Sequence, residues 1–459
     1  MTDKYPLHIE FDAMEYQADR HFQKTHYSFE GSEQDSWTIF RENKKYLTLP
    51  DGYRLLKTRY CGICSTDMAR ADLPFPLPQI TGHEIVAMDG NKPVVVEINA
   101  SHHARGVASD CYFCNNGLAN HCPDRLTLGI DCLPGGFAPY ILAPKNAIIP
   151  LPEDLDPFLA VMVEPLAAAI RAVEKTPLQA CKTIAVLGPR RLGSLLLLAL
   201  DYYRKKQNLD FSLSAIARNQ TLKPLCFAAG ADEFVLSDNA AGRKFDAVFD
   251  TSGSIAGLEL ALSMAEKYLH IKSTNGQSFE GLNVLTRMVI DEVSLQTWPD
   301  LNAKDAEYLI EEDLLRELSN APQNFKTYSL GKEYFPKAEN ASQRFDALIV
   351  SKLNNLNTLL NMSDSGSLLK PEGIIYLHCN KPETSMEKKI VCNHLQILTS
   401  RCGDFNEAIK LLSEVQSKME QFKSAFFTHT FKLNQLEQAF EYLRTSKQGV
   451  KAVIETEEN

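Results

Sequence analysis

The chain has 459 residues, 44% hydrophobic and 23% charged, with a formal net charge of -10. That length exceeds one ordinary core and predicts two or three domains. The acidic balance excludes the basic face that non-specific nucleic-acid binding needs. The longest apolar run, residues 192–200, is too short to span a membrane.

Residues 1–30 read as a polar extension that carries aromatics (Tyr5, Phe11, Tyr16, Phe22, Tyr27), without the apolar segment of a signal peptide. From about 35 to 150 short strands are broken by Gly and Pro, at 53–60, 84–88, 93–98 and 137–143, which predicts a compact β-rich domain. A helix is expected over 156–175, with Pro157 near its start. The texture changes at Lys182. A strand at 183–187, a tight turn at 188–193 and a helix at 194–205 are followed by strands at 213–217, 233–236 and 245–250. Apolar strands alternating with helices predict a parallel sheet covered on both faces. The tail from Gly403 reads helix (406–420), strand (425–431), helix (434–445, capped by Asn434) and strand (450–455). Eleven cysteines in such a chain read as reduced thiols with metal ligands among them, so the expected location is cytoplasmic.

An internal echo runs at an offset of about one hundred residues. Phe245-Asp246-Ala247-Val248-Phe249 returns as Phe345-Asp346-Ala347-Leu348-Ile349, and the segment 288–297 is matched by 390–399. Roughly one strand–helix–strand unit reads as duplicated.

The chemistry concentrates in three places. Cys64 with His83 and Glu84 offers sulfur, imidazole and carboxylate, a set zinc accepts while leaving a position for water or substrate. Cys111, Cys114 and Cys122 form a second cluster. Gly188-Pro189-Arg190-Arg191-Leu192-Gly193 follows a strand and opens a helix, the context of a dinucleotide turn. Cys61 reads as a buried strand residue, not a ligand.

Six motifs in one order resemble the zinc-containing medium-chain alcohol dehydrogenase/reductase family, nearest to its polyol, sugar and threonine dehydrogenase-like members. They are Cys64-Ser65-Thr66-Asp67, Gly82-His83-Glu84, Cys111-x-x-Cys114-x7-Cys122, Gly135-Gly136-Phe137-Ala138, Glu164-Pro165-Leu166-Ala167 and Asp250-Thr251-Ser252-Gly253. The resemblance covers nearly the whole chain apart from residues 1–30 and about 298–399. It implies an α/β fold: a GroES-like β-rich catalytic domain (31–175 and 401–459) and a Rossmann-type doubly wound parallel sheet (176–400), with a duplicated βαβ-like insertion at 298–399.

By the same resemblance Cys64, His83, Glu84 and Glu164 are the catalytic zinc set, Glu84 binding zinc directly or standing behind the ligands. Thr66 resembles the hydroxyl that relays the proton, and Ala69 stands where the family has a relay histidine. Cys111, Cys114 and Cys122 resemble a structural zinc lobe whose first cysteine is Ala108 here; Asp110, His103 and His121 are the candidates to complete it. Gly188, Pro189, Arg190, Arg191, Leu192 and Gly193 form the cofactor turn, with Arg190 replacing the glycine of close pyrophosphate approach. Ala217 stands where an acidic residue would hold a ribose 2′-hydroxyl, and the adjacent Arg218 favours a 2′-phosphate, hence NADP with NAD as the alternative. Thr251 and Ser252 are expected near the nicotinamide ribose, and Lys451 near the pyrophosphate.

The expected activity is zinc-dependent hydride transfer between NADP(H) or NAD(H) and a small alcohol, polyol or sugar, with zinc and NADP as cofactors and no nucleic-acid or membrane partner. The alternative is a catalytically weakened relative serving as a binding or scaffold module on the same fold. The insertion either caps the edge of the cofactor sheet, giving a monomer, or extends it before pairing in a homodimer.

Overall fold

Two-residue alternation at the N-terminus builds a hairpin. Strand Leu7–Tyr16 pairs antiparallel with Phe22–Gly31, and Trp37–Arg41 and Lys44–Leu49 complete a four-stranded sheet. Phe11, Ala13, Tyr27 and Phe29 turn inward, and the Phe11 ring meets Phe29 edge-on at 4.9 Å. The expected polar extension is therefore part of a core. Its charges hid the alternation: Glu15 is fully buried, where it accepts hydrogen bonds from Arg41 at 2.6 and 2.7 Å, from the Thr25 hydroxyl at 2.9 Å and from the Tyr27 hydroxyl. In this computed structural model the described residues are 7–272, 278–297, 306–318, 322, 324–329, 344–360, 367–446 and 448–456. Residues 1–6 of the expected extension and the remaining parts of 298–399 lie outside them.

The chain divides into two units, 1–167 with 403–459, and 168–402. The first is organised by a seven-stranded sheet. Its central strand, Tyr53–Gly62, is flanked antiparallel by Glu84–Asp89 and Tyr140–Pro144, and at its far end by Lys451–Glu455 from the tail. The tail thus returns to the β-rich unit. Its last helix, Leu436–Thr445, begins after Gln435, one residue beyond the expected Asn434 cap, and buries Phe440 against the Tyr16 and Phe22 rings of the hairpin.

Among the described residues the second unit holds an eleven-stranded sheet. Its order is Glu233–Leu236, Ser212–Ala217, Thr183–Leu187, Phe245–Asp250, Ala265–Ile271, Gln396–Thr399, Ser294–Thr297, Leu369–Leu377, Phe345–Val350, Tyr308–Glu311, Phe325–Tyr328. Neighbours run parallel except at one junction, where Leu295 faces Ile397 in an antiparallel bridge. The strands that border the expected insertion cross over. Gln396–Thr399 pairs with Ala265–Ile271, whereas Ser294–Thr297 crosses over to pair with Leu369–Leu377. No described helix is long and apolar enough to cross a membrane.

Candidate functional site

Asp67 gathers the first two metal candidates. Cys64 caps the short helix Ser65–Met68, and the Cys64 amide donates to Asp67 Oδ2 at 2.8 Å. The other oxygen, Oδ1, accepts the Gly82 amide at 3.1 Å and lies 3.4 Å from His83 Nδ1. His83 is 3% exposed and its Nδ1 makes no hydrogen bond. Burial opposes a charge on this imidazole. The Asp67 carboxylate and the Cys64 sulfur outweigh burial and hold it well above its usual range. Thr66 Oγ1 lies 3.8 Å from Cys64 Sγ. A sulfur and an imidazole in one electronegative, mostly buried place suit a cation such as zinc.

The loop carrying His83 is fixed from behind by the glycine motif. The Gly135 amide donates to Ile80 O, Gly136 to Gly82 O and Phe137 to Thr81 O, at 2.9, 2.8 and 3.0 Å. Cys61 is fully buried beneath it, and burial pushes its thiol well up; it stays a core residue.

Glu84, expected to bind zinc directly or to stand behind the ligands, forms a buried ion pair. It is 1% exposed and its carboxylate is bound by the ammonium of Lys451, also 1% exposed. Lys451 donates as well to Ile63 O at 3.2 Å. Lys451, expected near the pyrophosphate, thus has its ammonium buried against a carboxylate and a carbonyl. Gly62 makes room for the pair, because a Cβ there would lie 2.0 Å from Glu84 Oε2. Glu164 sits in the first turn of helix Val163–Lys175; none of Cys64, His83, Glu84 and Glu164 belongs to the one compact group of three or more potential ligands found among the described residues.

The second cluster is compact. His102, Cys111, Cys114 and Cys122 bring their ligand atoms within 4.8 Å of one another. Cys111 Sγ and Cys122 Sγ are 3.8 Å apart, and His102 Nδ1 is 3.4 Å from Cys122 Sγ and 3.9 Å from Cys114 Sγ. Zinc–sulfur bonds of about 2.3 Å in a tetrahedron place sulfurs roughly 3.8 Å apart, so the donor set fits zinc. The residue grouped with the three cysteines among the described residues is His102, and Asp110, His103 and His121 are not in that group. His102 comes from the short helix His102–Arg105, begun by a Ser101 cap on the Ala104 amide. Its other nitrogen, Nε2, lies 3.7 Å from Asp124 Oδ2, the kind of carboxylate that fixes the tautomer of a ligating histidine.

In the second unit the expected turn connects strand Thr183–Leu187 to helix Arg191–Lys206. Gly188 has φ 84° and the Arg190 amide folds back to Gly188 O at 2.7 Å. Gly193 packs so tightly that a Cβ would lie 2.6 Å from both Gly188 O and Thr251 Oγ1. Pro189 is buried, while Arg190, Arg191 and Leu192 are half-buried. The first-turn amides of such a helix are an anion cradle. The Thr251 hydroxyl donates to Leu187 O and Gly188 O, each at 2.9 Å, and so holds the turn itself. Ser252 donates its amide to Asp250 Oδ1 at 2.9 Å. Arg218 is exposed just past strand Ser212–Ala217.

The model of the alcohol dehydrogenase GroES-like domain matches residues 50–153. D-arabitol-phosphate dehydrogenase of Enterococcus avium is 28% identical over 233 residues, which is 46% of this chain and 65% of that protein. L-threonine 3-dehydrogenase of Bacillus velezensis is 27% identical over 277 residues, 53% of this chain and 78% of that protein. The crystal structure of L-idonate 5-dehydrogenase from Escherichia coli superposes with a TM-score of 0.61 at 13% identity, over 99% of this chain and 100% of that one. Residues 50–153 thus carry an alcohol dehydrogenase GroES-like domain, and the chain as a whole shares the fold of L-idonate 5-dehydrogenase. The chain thus spans about two-thirds of the first curated relative it matches.

Within this two-part fold, sequence reading missed two residues. Asp67 was in plain view inside the Cys64 motif, and its value lies in reaching both Cys64 and Gly82. His102 stands before Ala108, outside the family's cysteine register; the His102-His103 pair was its one signal.

Proposed function

We propose that the chain is a zinc-dependent oxidoreductase that transfers hydride between a nicotinamide cofactor, NADP(H) ahead of NAD(H), and a small alcohol, polyol or sugar. The observation that carries this reading is the Cys64–Asp67–His83 arrangement, buried and electronegative, in a chain whose relatives are polyol and threonine dehydrogenases. Cys64 and His83 would hold the metal, with Glu164 joining them, and Asp67 orients both. Bound there, zinc supplies Lewis acidity toward a hydroxyl oxygen, and the nicotinamide supplies or accepts the hydride. The Thr66 hydroxyl beside Cys64 Sγ carries the hydroxyl proton toward solvent.

The Gly188–Gly193 turn and the N-terminus of its helix would receive the pyrophosphate. Arg218, exposed past its strand end where no acidic residue stands, would meet a 2′-phosphate. His102, Cys111, Cys114 and Cys122 would hold a second, structural zinc. All the cysteines are free thiols, which supports a reducing compartment and a cytoplasmic enzyme.

The test is a titration of the full chain with NADPH and NADH, followed by a panel of polyols and secondary alcohols with zinc present. The expected result is NADPH binding at least about tenfold tighter than NADH, the preference disappearing in Arg218→Ala, together with zinc-dependent nicotinamide reduction. Absence of binding by either nucleotide at high micromolar concentration would refute the proposal.

A further inference from the structure

The eleven-stranded sheet is two related halves joined tail to tail. In the first half, strand Phe245–Asp250 lies between Thr183–Leu187 and Ala265–Ile271. In the second, Phe345–Val350 lies between Tyr308–Glu311 and Leu369–Leu377. The correspondence reaches individual hydrogen bonds. Asp246 Oδ2 accepts the Lys182 and Thr183 amides at 2.7 and 3.1 Å, and Asp346 Oδ2 accepts the Glu307 amide at 2.8 Å. Lys267 reaches Asp246 Oδ1 at 2.8 Å, and Lys370 reaches Asp346 Oδ1 at 2.8 Å. The Lys272 amide donates to Asp250 O at 3.0 Å, and the His378 amide to Val350 O at 3.0 Å.

The halves also exchange their last strands. From Ala265–Ile271 the chain passes through helix Leu285–Ile290 to Ser294–Thr297, which joins the second half. From Leu369–Leu377 it passes through helix Ser385–Asn393 to Gln396–Thr399, which joins the first. Leu269 faces Ile397 in one half, and Ile375 faces Leu295 in the other. Leu295 and Ile397 are thus equivalent positions, and they face each other across the antiparallel junction. Equivalent residues meeting is the mark of an isologous two-fold contact.

The second half has lost its nucleotide turn. By strand register Tyr308, Leu309 and Ile310 correspond to Ile184, Ala185 and Val186. Glu311 then stands at Leu187, and Glu312-Asp313 at Gly188-Pro189. The Glu311 carboxylate takes the Ser351 amide at 2.7 Å and the Asn355 side chain at 3.1 Å. The chain continues into a 3-10 helix, Glu312–Arg316, without a glycine. Carboxylates at the place of a phosphate cradle repel a dinucleotide.

We infer that this half is a degenerate nucleotide-type unit that stands in cis for a second copy of the chain, so that the protein is a monomer with one dinucleotide site. The outer edges of the sheet among the described residues support this. Glu233–Leu236 and Phe325–Tyr328 have four residues each. They carry Glu233, paired to Arg243, and Lys326, over the Phe345 ring. Short, charged edges resist strand pairing with another molecule.

Sedimentation equilibrium of the full chain decides the first point. A mass near 51.4 kDa at all concentrations is expected, and a dimer overturns the inference. A Leu295→Cys/Ile397→Cys variant adds a second readout under oxidation. An intrachain crosslink is expected, whereas a dimer band absent from the oxidised wild type overturns it, because it shows the strands exchanged between molecules. The stoichiometry rests on the dehydrogenase reading. One NADPH per chain is expected, and two per chain overturn the inference. No binding at all refutes the dehydrogenase reading and leaves the mass and crosslink to judge the inference alone.

Discussion

The ammonium of Lys451 holds the carboxylate of Glu84 in a fully desolvated pair, 1% exposed on each side. Removing one partner of such a pair strands a buried charge, at about 3–5 kcal/mol. Lys451→Met should destabilise the full chain by that amount in urea unfolding. Lys451→Met with Glu84→Gln should recover most of the loss, because no charge is then left behind. A single-variant loss below about 1 kcal/mol would refute the pairing. Glu84→Gln alone should keep its zinc, since its carboxylate faces Lys451 and Ile63 O accepts from the same ammonium.

Asp67 predicts a separable metal loss. Asp67→Asn keeps an oxygen for one amide but removes the negative charge beside His83. Zinc per chain, measured by atomic emission after dialysis, should fall from about two toward about one. The remaining equivalent should belong to the His102 cluster and vanish only when that cluster is also altered. Retention of both equivalents in Asp67→Asn would show that Asp67 does not set the Cys64–His83 geometry.

How much of this was legible before the structure depends on the range of the interaction. Strands Glu233–Leu236 and Phe245–Asp250 match their expected bounds residue for residue, because a short apolar run flanked by polar residues is a local signal. The duplication was visible for the same reason, as two like runs. The exchange of Ser294–Thr297 and Gln396–Thr399 was not. Two segments of similar pattern fit either sheet half equally well, and only packing chooses. The Lys451–Glu84 pair was not legible because the partners are 367 positions apart and one lysine looks like another in sequence. The N-terminal hairpin was missed because Glu15 reads as a surface charge until Arg41, Tyr27 and Thr25 are seen to enclose it.

His102 gives a test of the lobe. His102→Ala removes one of four ligands and should lose one zinc equivalent, leaving the lobe open to proteolysis between Cys111 and Cys122. His103 is exposed and points to no cluster found among the described residues, so His103→Ala should leave metal content unchanged. Equal zinc loss in the two variants would overturn the assignment of His102. His102→Cys should restore the bound zinc, since a thiolate is an equally good fourth donor.

The pH dependence of the first unit should centre on Glu97. Burial, and next the Asp404 carboxylate, push Glu97 up to about 7 from its ordinary 4.5. A carboxyl raised in the folded state binds its proton more tightly there than in the unfolded chain. Its contribution to stability is therefore complete below about pH 4.5 and is lost as pH rises through about 7. At about pH 8 the folded chain must hold Glu97 charged near Asp404. Glu97→Gln, neutral at every pH, should raise stability there by on the order of 2 kcal/mol and leave it nearly unchanged at about pH 5. Asp404→Asn should give a smaller gain, because its charge is the lesser cause, while its side-chain oxygen still caps helix Phe405–Val415 through the Asn406 amide. Urea midpoints at the two pH values read the difference directly. Parallel shifts of Glu97→Gln at both would show that Glu97 titrates no differently in the folded and unfolded chains.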